Sequence, residues 1–247
     1  MGWRVPAQSE SASFSPQKEA PAPPHVSASG SGVVPWQLDA PLTSPSGKPS
    51  PTTDHRPRFC VVTPTIPGRE RLLKAAIASV QAQDFRDLQH WVVGDGPCPE
   101  AESLCASLGV RFLHTPARED AWGSNARNLV LDQADADYFV FLDDDNLLFR
   151  HSLARLHDTA AEHRDPPLLA QRILFLPRTA EPYRVLPESL PPQLGQWDQL
   201  CACVRGDIAR QVRFQPHYTQ DYVYIQDCIA ASHVQPLLVE EIGGVHT

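Results

Sequence analysis

Between residues 58 and 142 this chain alternates short runs that are apolar on both faces with longer segments that carry one apolar stripe. Phe59, Cys60, Val61 and Val62 have no polar alternate, as in a strand covered on both sides, and Thr63 with Pro64 ends the run. After Gly68, the residues Leu72, Leu73, Ala76, Ile77 and Val80 recur at three and four positions and line one face of a helix. Trp91, Val92 and Val93 followed by Gly94, Asp95, Gly96 and Pro97 read as a second strand and a turn. The pattern repeats as a helix over 101–108, a strand over 110–113, a helix over 124–133 and a strand over 138–142. Such alternation predicts an α/β domain with a mostly parallel central sheet and helices on both faces. Ligands of open sheets bind beyond the carboxyl ends of the strands, so 63–65, 95–97 and 143–146 are where chemistry is expected.

The flanks read differently. Residues 1–57 are rich in Pro, Ser and Ala and cannot offset their ordering entropy by burial, which predicts a disordered tail. Beyond 150 the pattern loosens: 177–196 holds Pro177, Pro182, Pro187, Pro191 and Pro192 and reads as a long loop of the kind that covers substrates. A strand over 197–204, a short helix over 207–212, a helix over 221–232 and a last strand over 234–239 follow. With 247 residues, 42% of them hydrophobic, the chain can bury one core, which predicts a single folded domain. A net charge of -8 offers no basic field to nucleic acid. No run approaches the roughly 20 apolar residues of a membrane span, and no basic start precedes an apolar run, so a cytoplasmic protein is expected. The six cysteines lack paired zinc-type spacing and are expected to be buried thiols.

Asp143, Asp144 and Asp145 stand in a row directly after the apolar strand that ends at Leu142. Adjacent carboxylates raise one another's pKa unless a cation is present. A hard cation such as Mg²⁺ or Mn²⁺ would relieve this while keeping positions open for substrate phosphates. The plainer alternative is an acidic turn capping a helix that starts near Phe149. A calcium loop of the EF-hand kind is excluded by Leu147 and Leu148 at the fifth and sixth positions. Arg127 sits one turn into the helix over 124–133, where amides and guanidinium together suit a diphosphate, with a plain surface arginine as the alternative.

The order of these segments resembles the inverting glycosyltransferases of family 2, which have the GT-A fold. The resemblance lies in Val61, Val62, Thr63, Pro64, Thr65, then Arg69; in Val93, Gly94, Asp95, Gly96; in Gly123, Ser124, Asn125, Ala126, Arg127, Asn128; and in Phe141, Leu142, Asp143, Asp144, Asp145, Asn146. It covers about 58–150 well and weakens beyond. It implies a domain over 58–247 with a nucleotide-sugar half, 58–150, and an acceptor half, 151–247. It further implies that Asp95 accepts a hydrogen bond from the base, usually uracil, and that Thr63 and Thr65 hold base and ribose. Asp143 or Asp144 would bind ribose, and Asp145 would ligate Mn²⁺ or Mg²⁺.

Inverting transfer needs a base that deprotonates the acceptor hydroxyl. In the family this is the aspartate of a Glu-Asp pair opening a late helix. Gln226 with Asp227 is the match chosen here, and Asp221 competes with it. Some GT-A enzymes add a histidine near the domain's end as a metal ligand, which points to His246, with a histidine in a frayed terminus as the alternative. The implied function is metal-dependent transfer of a sugar from a nucleoside-diphosphate sugar, usually a UDP-sugar, to a hydroxyl with inversion. The rivals are a sugar nucleotidyltransferase, although 63–71 lacks the Gly-rich basic loop, and a non-catalytic nucleotide-sugar or protein-binding module of the same fold.

Overall fold

The apolar run at residue 59 forms β1 (Phe59–Thr65), a strand buried along its whole length. The protein is described here by a computed structural model, in which residues 55–177, 179 and 181–247 are described. The expectation of disorder over 1–54 therefore lies outside the described residues. At 55–57 it is corrected: Arg56 donates to the Ala136 carbonyl at 2.6 Å, and the Pro57 carbonyl accepts from the Asp137 amide at 3.0 Å.

The first half follows the sequence pattern closely. After β1 come α1 (Glu70–Gln81), β2 (Leu88–Gly94), α2 (Pro99–Leu108), β3 (Arg111–His114), α3 (Ser124–Gln133) and β4 (Tyr138–Phe141). The α1 stripe buries Leu73, Ala76, Ile77 and Val80, and each large member stabilises the fold by roughly 1.5–3 kcal/mol relative to exposure. Both faces of the sheet are covered, because successive residues of β2 enter different clusters. Val92 packs with Leu73, Ile77, Ala101 and Cys105, whereas Trp91 and Val93 belong to the larger core.

The second half comprises β5 (Leu147–Leu148), α4 (Ser152–Glu162), β6 (Leu168–Phe175), β7 (Arg184–Leu186), a 3-10 turn (Gln199–Cys201), β8 (Ala202–Arg205), α5 (Gly206–Ala209), α6 (Gln220–Ser232) and β9 (Leu237–His246). The strand order is β3-β2-β1-β4-β8-β6-β9-β5, with β7 on the free side of β6. Strands β1 to β4 pair in parallel. β8 then runs antiparallel between β4 and β6, and β9 lies parallel to β6.

Three expectations change here. The strand over 197–204 is interrupted, because the Asp198 carboxylate accepts the Leu200 amide at 2.8 Å and folds the chain into the 3-10 turn before β8 begins. The last strand starts and ends later than 234–239, since His233 closes α6 in a left-handed conformation with φ 57°. The long loop contains β7, whose partner β6 is itself a strand that the sequence pattern did not reveal. All six cysteines are buried thiols.

Candidate active site

Leu142 keeps one hydrogen bond to the Val62 carbonyl, at 2.9 Å, and the chain then turns out of the sheet through Asp143–Asn146. Two arginines hold the three carboxylates. Arg69, at the start of α1, donates through Nε and Nη2 to Asp144 at 2.8 and 2.7 Å, and through Nη2 to Asp145 at 2.7 Å. Arg127 on α3 is buried and pairs with Asp143. Thr65 at the end of β1 donates its hydroxyl to Asp144 at 2.6 Å. Burial pushes the Asp144 carboxyl above its usual range, against the pull of Arg69 and Thr65.

The repulsion that called for a metal is thus met largely by protein cations. Asp144 is 5% exposed and braced by Arg69 and Thr65. All three aspartates keep a face on the cleft.

The strand-end turn of β2 supplies Asp95, which is 6% exposed. Its two oxygens accept the backbone amides of Glu119 and Asp120, each at 2.9 Å, so it ties the 115–123 loop over the cleft and lines the cavity below. Gly96 beside it has φ +83°, and a Cβ there would lie 2.8 Å from the Arg118 amide, so the turn and this loop approach too closely for a side chain. Thr63 is a correction. It is fully buried, and its hydroxyl is 2.9 Å from Nε2 of His90 on the neighbouring strand, so it seals the sheet instead of facing a nucleotide.

The base candidates separate clearly. Asp227 lies on α6 two turns from its start and is exposed, outside the residues lining the cleft. The expectation that it is the base is corrected by that position. Asp221, in the first turn of α6, lines the cleft. Burial pushes its carboxyl up to about 6, partly opposed by the hydrogen bond from the Tyr222 amide. The residue before it, Gln220, makes a Gln-Asp pair that opens this helix, and its side chain contacts Ser124 and the Trp122 carbonyl.

His246, on the last turn of β9, stands in the same cleft. Its Nδ1 is 2.8 Å from Asp198, and its ring stacks on Phe175. Burial alone would lower the imidazole pKa, but the hydrogen bond and charge of Asp198, with Asp143 and Asp145 behind it, outweigh that and raise it. Thr247 donates its hydroxyl to the Asp145 carbonyl at 2.6 Å, so this end of the chain is stitched to the aspartate turn. Among the described residues no group of three His, Cys, Asp or Glu side chains converges on one point as a metal cage. Asp145 and His246 line one cavity, and the carboxylate oxygen is a donor of the kind Mn²⁺ and Mg²⁺ prefer.

These groups border two cavities. The first, about 460 Å³, lies between the ends of β1, β2 and β4 and is lined by Thr65, Arg69, Asp95, Arg127, Asp143 and Asp145 among others. Trp122, Arg127, Asp143 and Asp145 also line a second of about 760 Å³, together with Asp198, Asp221 and His246. Sequence reasoning passed over Arg69 as a site residue, and over Trp122 and Asp198 altogether. Arg69 had a signal, one turn after a strand end facing three aspartates. Asp198 had none, because the strand expected over 197–204 gave no sign of the 3-10 turn that this residue caps.

Known proteins resemble this chain in sequence and in fold. The curated GalNAc(5)-diNAcBac-PP-undecaprenol beta-1,3-glucosyltransferase of Campylobacter jejuni is 34% identical over 112 residues, which is 43% of this chain and only 35% of that protein. The solved structure of S. aureus TarS 1–349 superposes with a TM-score of 0.66 at 14% identity, over 77% of this chain and 60% of that one. The mannosyltransferase PcManGT from Pyrobaculum calidifontis, solved with GDP-Man and Mn²⁺, gives 0.58 at 17% identity, over 78% of this chain and 57% of that one. At these identities the structural likeness establishes the fold, an α/β domain of the GT-A type. The model of glycosyl transferase family 2 matches residues 60–185, from the second residue of β1 through the aspartate turn to the middle of β7, and this chain belongs to that family.

Proposed function

We propose that this chain is a metal-dependent inverting glycosyltransferase that moves a sugar from a nucleoside-diphosphate sugar, specifically a UDP-sugar, to an acceptor hydroxyl. The observation that carries the reading is a shared wall: Trp122, Arg127, Asp143 and Asp145 line both the strand-end cavity with Asp95 and the larger cavity with Asp221. Support from relatives is of the same kind, since TarS has been solved with UDP and with UDP-GlcNAc. The Campylobacter relative is a glucosyltransferase.

In this reading residues 58–150 bind the donor and 151–247 present the acceptor. The base lies against Asp95 and the 115–123 loop, and Thr65 acts through Asp144 by fixing its carboxylate. The diphosphate faces Arg127, whose buried Nε has no partner among the described residues and is a donor held ready for an anion or a water. Asp145, with His246 beside it, would hold Mn²⁺ or Mg²⁺, which supplies positive charge for the leaving diphosphate.

Asp221 takes over the role first given to Asp227. With a pKa near 6 it is ionised at neutral pH, yet basic enough to accept a proton in the transition state. It receives the proton of the acceptor hydroxyl as that oxygen attacks the anomeric carbon from the larger cavity. The bond from the anomeric carbon to the phosphate oxygen breaks on the opposite side, UDP leaves with the electron pair, and the configuration inverts. Among the described residues no helix is long and apolar enough to cross a membrane.

Thermal melting of the full chain with UDP, GDP and their sugars, with and without Mn²⁺, tests this. A nucleotide at 100 times its dissociation constant should stabilise by about 2.7 kcal/mol. Asp145→Asn should remove the part of the shift that depends on Mn²⁺. A melting point unmoved by every nucleoside diphosphate in the presence of Mn²⁺ would end the donor-site reading.

A further inference from the structure

The larger cavity holds features that donor binding does not use. Trp122 is 57% exposed and Tyr218 78% exposed, although both belong to pinned segments. Trp122 has φ 49°, a left-handed conformation costly for a bulky residue. It is kept there because its carbonyl accepts from Arg127 Nη1 at 2.9 Å and from the Gln220 amide. Tyr218 lies between Gln215, whose carbonyl accepts the Ser124 hydroxyl at 2.8 Å, and Thr219, whose hydroxyl is 2.9 Å from His217 Nδ1. The two rings meet edge to face, with centroids 6.5 Å apart at 76°. They form a rigid aromatic corner on the larger cavity, and Trp122 also borders the donor cavity.

A second, independent observation concerns the same cavity. Gln199 is 4% exposed, and both Nε2 and Oε1 of its amide lack a partner among the described residues. So does Nε1 of Trp197, which is 5% exposed. Both residues line this cavity. Buried polar atoms are seldom left alone, so these two donors and one acceptor point to a ligand or water that both gives and takes hydrogen bonds. Meanwhile each cationic side chain lining the cavity already faces a carboxylate: Arg127 on Asp143, His246 on Asp198 and Arg184 on Glu188. Among the described residues lining the cavity, each cation therefore already has a carboxylate partner.

We propose that the acceptor is a neutral saccharide, one ring of which stacks on the Trp122–Tyr218 corner while its hydroxyls pair with Gln199 and the Trp197 indole. A pyranose has weakly positive C–H groups on its faces, which match the negative face of an aromatic ring, and hydroxyls on its edges that both donate and accept. The assignment rests on the donor-and-base reading above, with Asp221 beside the same cavity positioned to deprotonate one of those hydroxyls.

The test is a glycan array probed with the full chain in the presence of UDP and Mn²⁺, carrying neutral, sialylated and phosphorylated glycans on short spacers and the same glycans on lipid vesicles. UDP binding is measured separately by calorimetry. The expected result is retention of a subset of neutral, spacer-borne glycans. Trp122→Ala and Tyr218→Ala should weaken that binding at least tenfold, and Tyr218→Phe should keep it. Tyr218→Ala should leave UDP affinity unchanged. Gln199→Leu should weaken glycan binding while raising the melting temperature, a combination that a purely structural glutamine would not produce. With UDP binding intact, retention of acidic glycans alone, binding on vesicles alone, or no glycan binding would overturn the proposal. Failure of the wild type to bind any nucleoside diphosphate would remove the donor reading and this one with it.

Discussion

The two halves of this molecule build one cleft by different means. In the first, four parallel strands end on the same side, so Thr65, Asp95 and the aspartate turn arrive at one place because each follows a strand. In the second, Asp198, Asp221 and His246 come from a 3-10 turn, a helix start and the end of the last strand, within a region of mixed strand direction. A parallel sheet makes position along the sequence informative about position in space. A mixed sheet does not, and its contributions become visible only when the chain is folded.

The largest test of that contrast is Asp221→Asn. If the acceptor half supplies the base, turnover should fall by about 10²–10⁴-fold while UDP binding persists. The rate of the wild type should rise with pH through about 6, where the Asp221 carboxyl ionises, and level above it. Stability moves the other way. Unfolded aspartate loses its proton near 4 and the folded one near 6, so between those values the folded state binds more protons and this group's contribution falls as pH rises. Above that window the buried ionised carboxylate is a cost, and the inactive asparagine variant should melt at or above the wild type at pH 7.5. A variant that keeps its turnover, or a profile flat across pH 5–7, would break the assignment.

Arg69→Met probes the donor half. It leaves Asp144 buried without its guanidinium and Asp145 without one partner. Breaking a buried pair costs about 3–5 kcal/mol, and the partial exposure of Arg69 reduces that to about 2–3 kcal/mol in urea unfolding. A loss under 1 kcal/mol would mean that the aspartate turn holds itself together by other contacts. The smallest effect should come from Asp227→Asn, an exposed helical position where both stability and turnover stay within about 0.5 kcal/mol of wild type. A large drop in turnover there would return the base to Asp227.

The legibility of the sequence follows the same divide. The bounds 124–133 match α3, and the strand before the aspartates was plain because Tyr138 to Leu142 are apolar and fully buried on both faces. β6 was missed because Gln171 and Arg172 interrupt its apolar run. Gln171 is buried all the same, its amide engaged by Ser152 at 2.6 Å and by the Leu200 carbonyl at 2.9 Å, a pairing no local pattern announces. At the site, a metal is inferred from repulsion among Asp143, Asp144 and Asp145, but their counter-charges sit 75 and 16 residues earlier, Arg69 before Asp144 and Arg127 before Asp143. The choice of Asp227 over Asp221 came from matching the pair Gln226-Asp227, when the pair that opens the helix is Gln220-Asp221.

The contacts of Trp122 give the two halves a shared thermodynamics. Asp95 holds the amides of Glu119 and Asp120, the Trp122 carbonyl two residues on accepts from Gln220, and Gln220 precedes Asp221. Donor-site geometry and base placement are therefore links of one chain and not independent variables. Asp95→Asn and Gln220→Leu, made singly and together, should be non-additive in turnover, with a coupling of about 0.5–3 kcal/mol, because members of one hydrogen-bond network do not contribute separately. A strictly additive double variant would mean the link carries no energy. With additive links, the Asp95 end could drift without disturbing Asp221; in the network seen here, a change at Asp95 would be felt at Asp221.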